Sequence, residues 1–171
     1  PHIYSLWDSW ELSAIDPTYD KPHGRFVIIY WRENGIIKSN FEYRSMDGDP
    51  ELYAIIKSRT TPSIWEPYED VFTENKADKF LMTSINSPML ENGKYIGIVA
   101  VDITLDRFQE LVESIKPFEG SYAFMISNGG LIAGHPNKEL LAKKIDEIFP
   151  EDNKNYKITQ KIKKGEPFNY T

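Results

Sequence analysis

The chain has 171 residues, no cysteine, and 20 basic against 26 acidic side chains, for a formal charge of -6. The missing cysteines exclude a disulfide scaffold, a cysteine nucleophile, a thiolate zinc site and an iron–sulfur cluster; the negative charge offers no attraction to nucleic-acid phosphates or anionic lipid. Leu, Ile, Val and Phe make up about a quarter of the residues, enough for a packed core, and the length suits one large domain or two small ones.

Pro1 to Asp8 has neither the basic n-region nor the apolar h-region of a signal peptide,. Leu6, Trp7 and Trp10 stand at helix-like spacing and predict an N-terminal helix already under way, as in a piece of a longer protein,. Phe26 to Trp31 and Ile36 to Tyr43 are β-rich runs around Asn34-Gly35, which predicts a hairpin because a type I′ turn needs positive φ at both central residues,. Glu51 to Arg59 carries Leu52, Ile55 and Ile56 at helical spacing, and the proline-bearing stretch after it predicts a loop that delivers Trp65, Tyr68 and Asp70,.

Lys79 to Asn86 alternates, and Asn92-Gly93 introduces a second hairpin strand, Tyr95 to Ile103,. Period two puts Ile96, Ile98, Ala100 and Asp102 on one face, with Asp102 its single charge,. Leu105, Phe108, Leu111, Val112 and Ile115 repeat at helical intervals and stop at Lys116-Pro117,. Ser121 to Ser127 predicts a strand, Asn128-Gly129-Gly130 a turn, and Leu131 to Gly134 the partner strand,. Setting Gly130 against Gly35 aligns the two hairpins and suggests two related modules, residues 1–104 and 105–171, joined by the helix from Leu105,. Helices around Leu140 to Ile148 and Tyr156 to Ile162 and a short strand from Glu166 to Thr171 leave the second module without its closing strands.

Three blocks, Trp65-Glu66-Pro67-Tyr68-Glu69-Asp70, Met82-Thr83-Ser84-Ile85-Asn86-Ser87-Pro88, and Asn92 to Leu105, together with Tyr122 to Asn137, resemble the double Cache family of extracytoplasmic sensor domains. The resemblance implies an α+β fold of tandem PAS-like modules with central antiparallel sheets. It implies a ligand-binding sensor rather than an enzyme, part of a chemoreceptor or sensor histidine kinase that is held in the membrane by flanking helices and is homodimeric. In amino-acid-binding members an Arg-x-Trp-Tyr segment grips the ligand carboxylate, and a Tyr, an Asp and a strand-end Asp hold the ammonium. Tyr53 matches the last position of that segment, while Pro50 and Leu52 replace its arginine and tryptophan; Tyr68, Asp70 and Asp102 match the amine-holding half. Arg44 and Arg59 are nearby substitutes for the missing arginine.

The residues alone allow plainer readings. Asp102 with Thr104 suits the cap of the helix starting near Leu105, whereas a ligand ammonium would offset the cost of burying its charge. Tyr53, Trp65 and Tyr68 suit core packing as well as a cation-binding pocket. His2, His23 and His135 are too scattered for a metal site, and no nucleophile elbow or phosphate-binding loop is present,. The expectation is therefore a sensor that binds a small amine-bearing metabolite without a cofactor; the alternative is a structural or dimerisation module whose pocket is filled by its own side chains.

Overall fold

The computed structural model of the chain describes residues 3–21, 23–44, 51–70, 80–167 and 169. In chain order these form β1 (Ser5–Glu11), a one-turn helix α1 (Leu12–Ile15), β2 (Arg25–Glu33), β3 (Ile36–Arg44), α2 (Glu51–Lys57), β4 (Ser63–Ile64), β5 (Tyr68–Asp70), β6 (Phe80–Glu91), β7 (Lys94–Thr104) and α3 (Leu105–Ser114). After them come β8 (Met125–Ile126), β9 (Ile132–Gly134), a 3-10 turn (Lys138–Leu140), α4 (Ile145–Ile148), α5 (Pro150–Tyr156) and α6 (Ile158–Lys164). The described residues fall into two compact units, Pro1–Trp65 with Ser84–Ile103, and Glu66–Thr83 with Thr104–Thr171. Helices combined with a central antiparallel sheet make this the expected α+β class. Among the described residues no helix is long and apolar enough to cross a membrane.

In the first unit the strands run β3-β2-β1-β7-β6-β4. Both hairpins have the expected turn: Asn34 and Gly35 lie at φ 50° and 79°, and Asn92 and Gly93 repeat those values,. The predicted N-terminal helix is absent. Ser5–Glu11 is instead a strand paired on both sides, Ser5 facing Trp31 of β2 and Asp102 of β7. The helix-like spacing of Leu6, Trp7 and Trp10 misleads because this strand turns small and polar residues inward: Ser5, Ser9 and Glu11 are buried and Leu6 is exposed. Ladder bonds to two neighbours outweigh a weak local propensity.

Register aligns the inward residues in cross-strand rows, since directly opposed residues share a face. Trp31, Ser5 and Asp102 form one row; Ile29, Trp7 and Ala100 the next; Val27, Ser9 and Ile98 a third; Arg25 and Glu11 end the series. Helix α2 lays Tyr53 and Ile56 against Ile98, with Trp7, Trp65 and Tyr95 packed around them. Gly97, opposite Trp10, has no room for a side chain: an added Cβ would stand 2.6 Å from the Ser9 carbonyl oxygen.

The second unit packs α3 on β9. Leu105, Gln109 and Val112 form the buried stripe of α3 at helical spacing,, and an added Cβ at Gly134 would meet the Phe108 carbonyl oxygen at 3.0 Å. Ile132, Ile145 and Ile158 are buried. The strand expected over Ser121 to Ser127 shrinks to Met125–Ile126, since β9, its partner, spans three residues and is followed by His135-Pro136, where proline has no N–H to continue a ladder,. The helix expected around Leu140 to Ile148 is interrupted at Ala142, φ 59°, and Lys157, φ 54°, separates α5 from α6. Of the strand expected over Glu166 to Thr171, residues 168, 170 and 171 lie outside the described residues, and 166, 167 and 169 are not in a strand.

Candidate functional site

Asp102 sits near the end of a strand flanked by β1 and β6 and is fully buried. Its carboxylate accepts hydrogen bonds from the Ser5 hydroxyl on one oxygen, and on the other from the Ser84 hydroxyl at 2.6 Å and the Trp7 indole N–H at 3.1 Å. Burying a carboxylate costs several kcal/mol, and bonds of this charged kind, about 1.5 to 3 kcal/mol each, offset much of that cost. The capping role does not apply: Thr104 is the N-cap of α3 and makes no side-chain cap bond, while the Asp102 carboxylate is engaged by β1 and β6.

Tyr53, on α2, is buried and its hydroxyl accepts a 3.1 Å bond from that of Tyr95, whose ring stands edge-on to it. Burial pushes the hydroxyls of both tyrosines above the ordinary tyrosine range, so both remain neutral donors at physiological pH,. The Arg25 guanidinium lies 3.8 Å from the centre of the Tyr53 ring, and Lys57 bridges to the buried Glu11 at 2.8 Å. Trp65 contacts Trp7, with ring centres 5.8 Å apart.

Thus the first unit brings Tyr53, Trp65 and Asp102 together on one polar and aromatic face. Arg44 is on the exposed strand β3, directly opposite Arg25, and its guanidinium pairs with Glu42 at 2.7 Å. Tyr68 and Asp70 lie two residues apart on β5, opposite Met82 and Phe80, and are described with the second unit. Ser5, Trp7, Ser84, Glu11 and Arg25 escape a reading of apolar periodicity; the polar alternation Ser5, Ser9, Glu11 is the signal that marks β1. No group of three or more metal-ligating side chains occurs among the described residues.

Residues 10 to 110, from the end of β1 to the middle of α3, match the family described as methyl-accepting chemotaxis protein-like, first PDC sensor domain. The chain belongs to this family. It is 31% identical over 111 residues to the methyl-accepting chemotaxis protein PscA of Pseudomonas syringae pv. tomato, a match covering 63% of this chain and 17% of PscA. The extracellular domain of mmHK1S-Z3, assigned as a histidine kinase, superposes with TM-score 0.72 at 28% identity, over 97% of this chain and 61% of that one. PctB of Pseudomonas aeruginosa is 28% identical over 109 residues, 62% of this chain and 16% of PctB. The PctB ligand-binding domain, solved in complex with L-Gln, shares the fold with TM-score 0.52 at 20% identity, over 86% of this chain and 52% of that one. The chain spans about a sixth of the length of these two curated chemoreceptors. As a member of a sensor-domain family with extracellular neighbours, it is an extracytoplasmic sensor module.

Proposed function

We propose that the chain is the ligand-binding part of a transmembrane receptor built from tandem PAS-like modules in the double Cache manner, residues 1–104 and 105–171, and homodimeric in the intact receptor. The first module takes a small amine-bearing metabolite. Asp102 carries this reading: a fully buried carboxylate on the inner face of a sensor sheet, held in place by Ser5, Trp7 and Ser84 and flanked by the aromatic group of Trp7, Trp65 and Tyr53. An ammonium beside it would be drawn by its negative charge, and the indole faces of Trp7 and Trp65 favour a cation by about 0.5 to 2 kcal/mol when desolvated. Solved domains of this fold hold L-serine and L-Gln. Family members and structural neighbours include chemotaxis receptors and a protein assigned as a histidine kinase, which supports a receptor with one of those two outputs. Tyr68, Asp70 and Arg44 are not needed by this reading.

A second reading, a structural or dimerisation module, has its own support in the close packing of Tyr53, Ile56 and Ile98 with Trp7, Trp65 and Tyr95. A thermal-shift screen of amino acids, amines, purines and carboxylates separates the two. A ligand at 100 times its Kd stabilises the fold by about 2.7 kcal/mol, and silence across all four classes sinks the sensor reading. For any amine found, Asp102→Asn keeps the side chain's shape while removing its charge, and calorimetry is expected to show binding weakened about 10- to 100-fold.

A further inference from the structure

His135 follows β9 in the second unit and is 7% exposed. Its main-chain N–H donates to Gln109 Oε1 at 3.0 Å, and its ring Nδ1 accepts the Asn137 N–H at 2.9 Å. A backbone N–H only donates, so Nδ1 is bare and the imidazole carries its proton on Nε2. That Nε2–H is buried and meets no acceptor among the described residues. Tyr122 and Phe124 stand against the imidazole, with ring centres 5.4 and 5.6 Å from it, and Phe149 lies 6.4 Å from Phe124. Tyr122 is 56% and Phe124 40% exposed, so a buried, unfilled donor touches two rings that solvent reaches. Exposed side chains change rotamer freely, and turning aside is the movement an entering ligand needs.

Buried polar groups are almost always paired, and a neighbouring ring face is a weak substitute for an acceptor. The register of the second hairpin points to what completes the bond. With Gly130 set against Gly35, Met125 faces Gly134 just as Tyr30 faces Ser39. On that alignment Phe124 and His135 take the places of Ile29 and Asn40, and Tyr122 takes that of Val27. Val27 and Ile29 stand in the rows of Ser9 and Trp7, on the face that carries Asp102. We infer that Tyr122, Phe124 and His135 form a second binding site, for an uncharged heteroaromatic compound that offers a ring nitrogen or carbonyl to the His135 Nε2–H. The class follows from the residues. Two rings supply flat apolar faces, the imidazole supplies one donor, and none of the three is a cation that would select an anion. The equivalence of faces rests on the ligand-binding role proposed above; the unfilled donor and the open rings do not.

The test is titration of the full chain, followed by NMR, with nicotinamide, adenine and quinoline, and with indole, which is similar in size to quinoline but whose ring nitrogen donates instead of accepting. Quinoline is expected to bind about 3- to 10-fold more tightly than indole, the worth of one hydrogen bond, and to shift the His135 Nε2–H resonance. His135→Phe keeps a ring in place and abolishes that preference. Tyr122→Ala leaves the bonds of His135 intact and weakens quinoline and indole alike, by about tenfold. Asp102→Asn changes none of these affinities, which separates this site from the amine site. Thermal melting checks that each variant folds; if His135→Phe does not, because the Asn137 N–H loses its acceptor, the Nε2–H resonance and Tyr122→Ala carry the test. Equal affinity for quinoline and indole, an unmoved Nε2–H resonance, or no binding by any of the four compounds overturns the second site and leaves the amine reading standing. Silence of amines in the earlier screen sinks the amine reading and leaves this site to its own titration.

Discussion

Along β1 of the first unit, Ser5, Ser9 and Glu11 are buried on one face, while Leu6 on the other is 45% exposed. The same inversion continues across the sheet. Asp102 and Asn86 are buried on the inner face, and Tyr30, Ile37, Phe41 and Tyr43 share the outer face and are open to solvent. Apolar side chains at a surface are ordinary, whereas each polar group taken inside must find a partner or lose free energy. The comparison teaches that tolerance and sensitivity to substitution are distributed in this sheet by hydrogen bonding and close approach rather than by hydrophobicity.

The largest expected effect breaks the inner face. Asp102→Leu leaves the Ser5 and Ser84 hydroxyls and the Trp7 N–H without their acceptor, and urea unfolding should show a loss of about 3 to 5 kcal/mol,. Next comes Gly97→Ala, whose Cβ would collide with the Ser9 carbonyl oxygen; the same measurement should show a loss of about 1 to 3 kcal/mol despite the small size of the change,. The smallest effect belongs to Asp8, on the outer face, whose carboxyl is held above its ordinary pKa by burial, with the Trp10 indole bond opposing. A raised folded-state pKa means that ionisation disfavours the fold as pH rises through that value. Asp8→Asn should therefore raise the melting temperature slightly at pH 7, with the gain disappearing below about pH 3, where aspartate is protonated in both states. A gain that persisted undiminished at low pH would show that charge is not the cause.

Much of this architecture could be read from local chemistry. Asn34-Gly35 and Asn92-Gly93 announce their turns because few other dipeptides tolerate two positive φ angles, and alternation over Tyr95 to Ile103 isolates Asp102 as the one charge on its face,. The N-terminal strand is missed because hydrophobic periodicity assumes that apolar residues point inward, and Ser5, Ser9 and Glu11 reverse that assumption. The partners of Asp102 are invisible for a different reason. Ser5 lies 97 residues away and Ser84 lies 18 away, and both reach the carboxylate only because the strand order sets β7 between β1 and β6. The hydrogen bonds from Arg59 to Ser63 and from Ser63 to Asn86 likewise depend on β4 pairing with β6, and a two-residue strand leaves little trace in a sequence.

The two Asn-Gly turns also give the molecule a chemical age. An asparagine before glycine is open to attack on its side-chain amide by the unhindered following nitrogen, and the succinimide that forms reopens mainly to isoaspartate, which lengthens the backbone by one carbon. A two-residue turn has no slack for that extra atom, and in a sheet whose faces differ as sharply as these, a slip of one residue exchanges inside for outside along the whole strand. Damage at Asn92 would thus reach Asp102, ten residues away, through register alone.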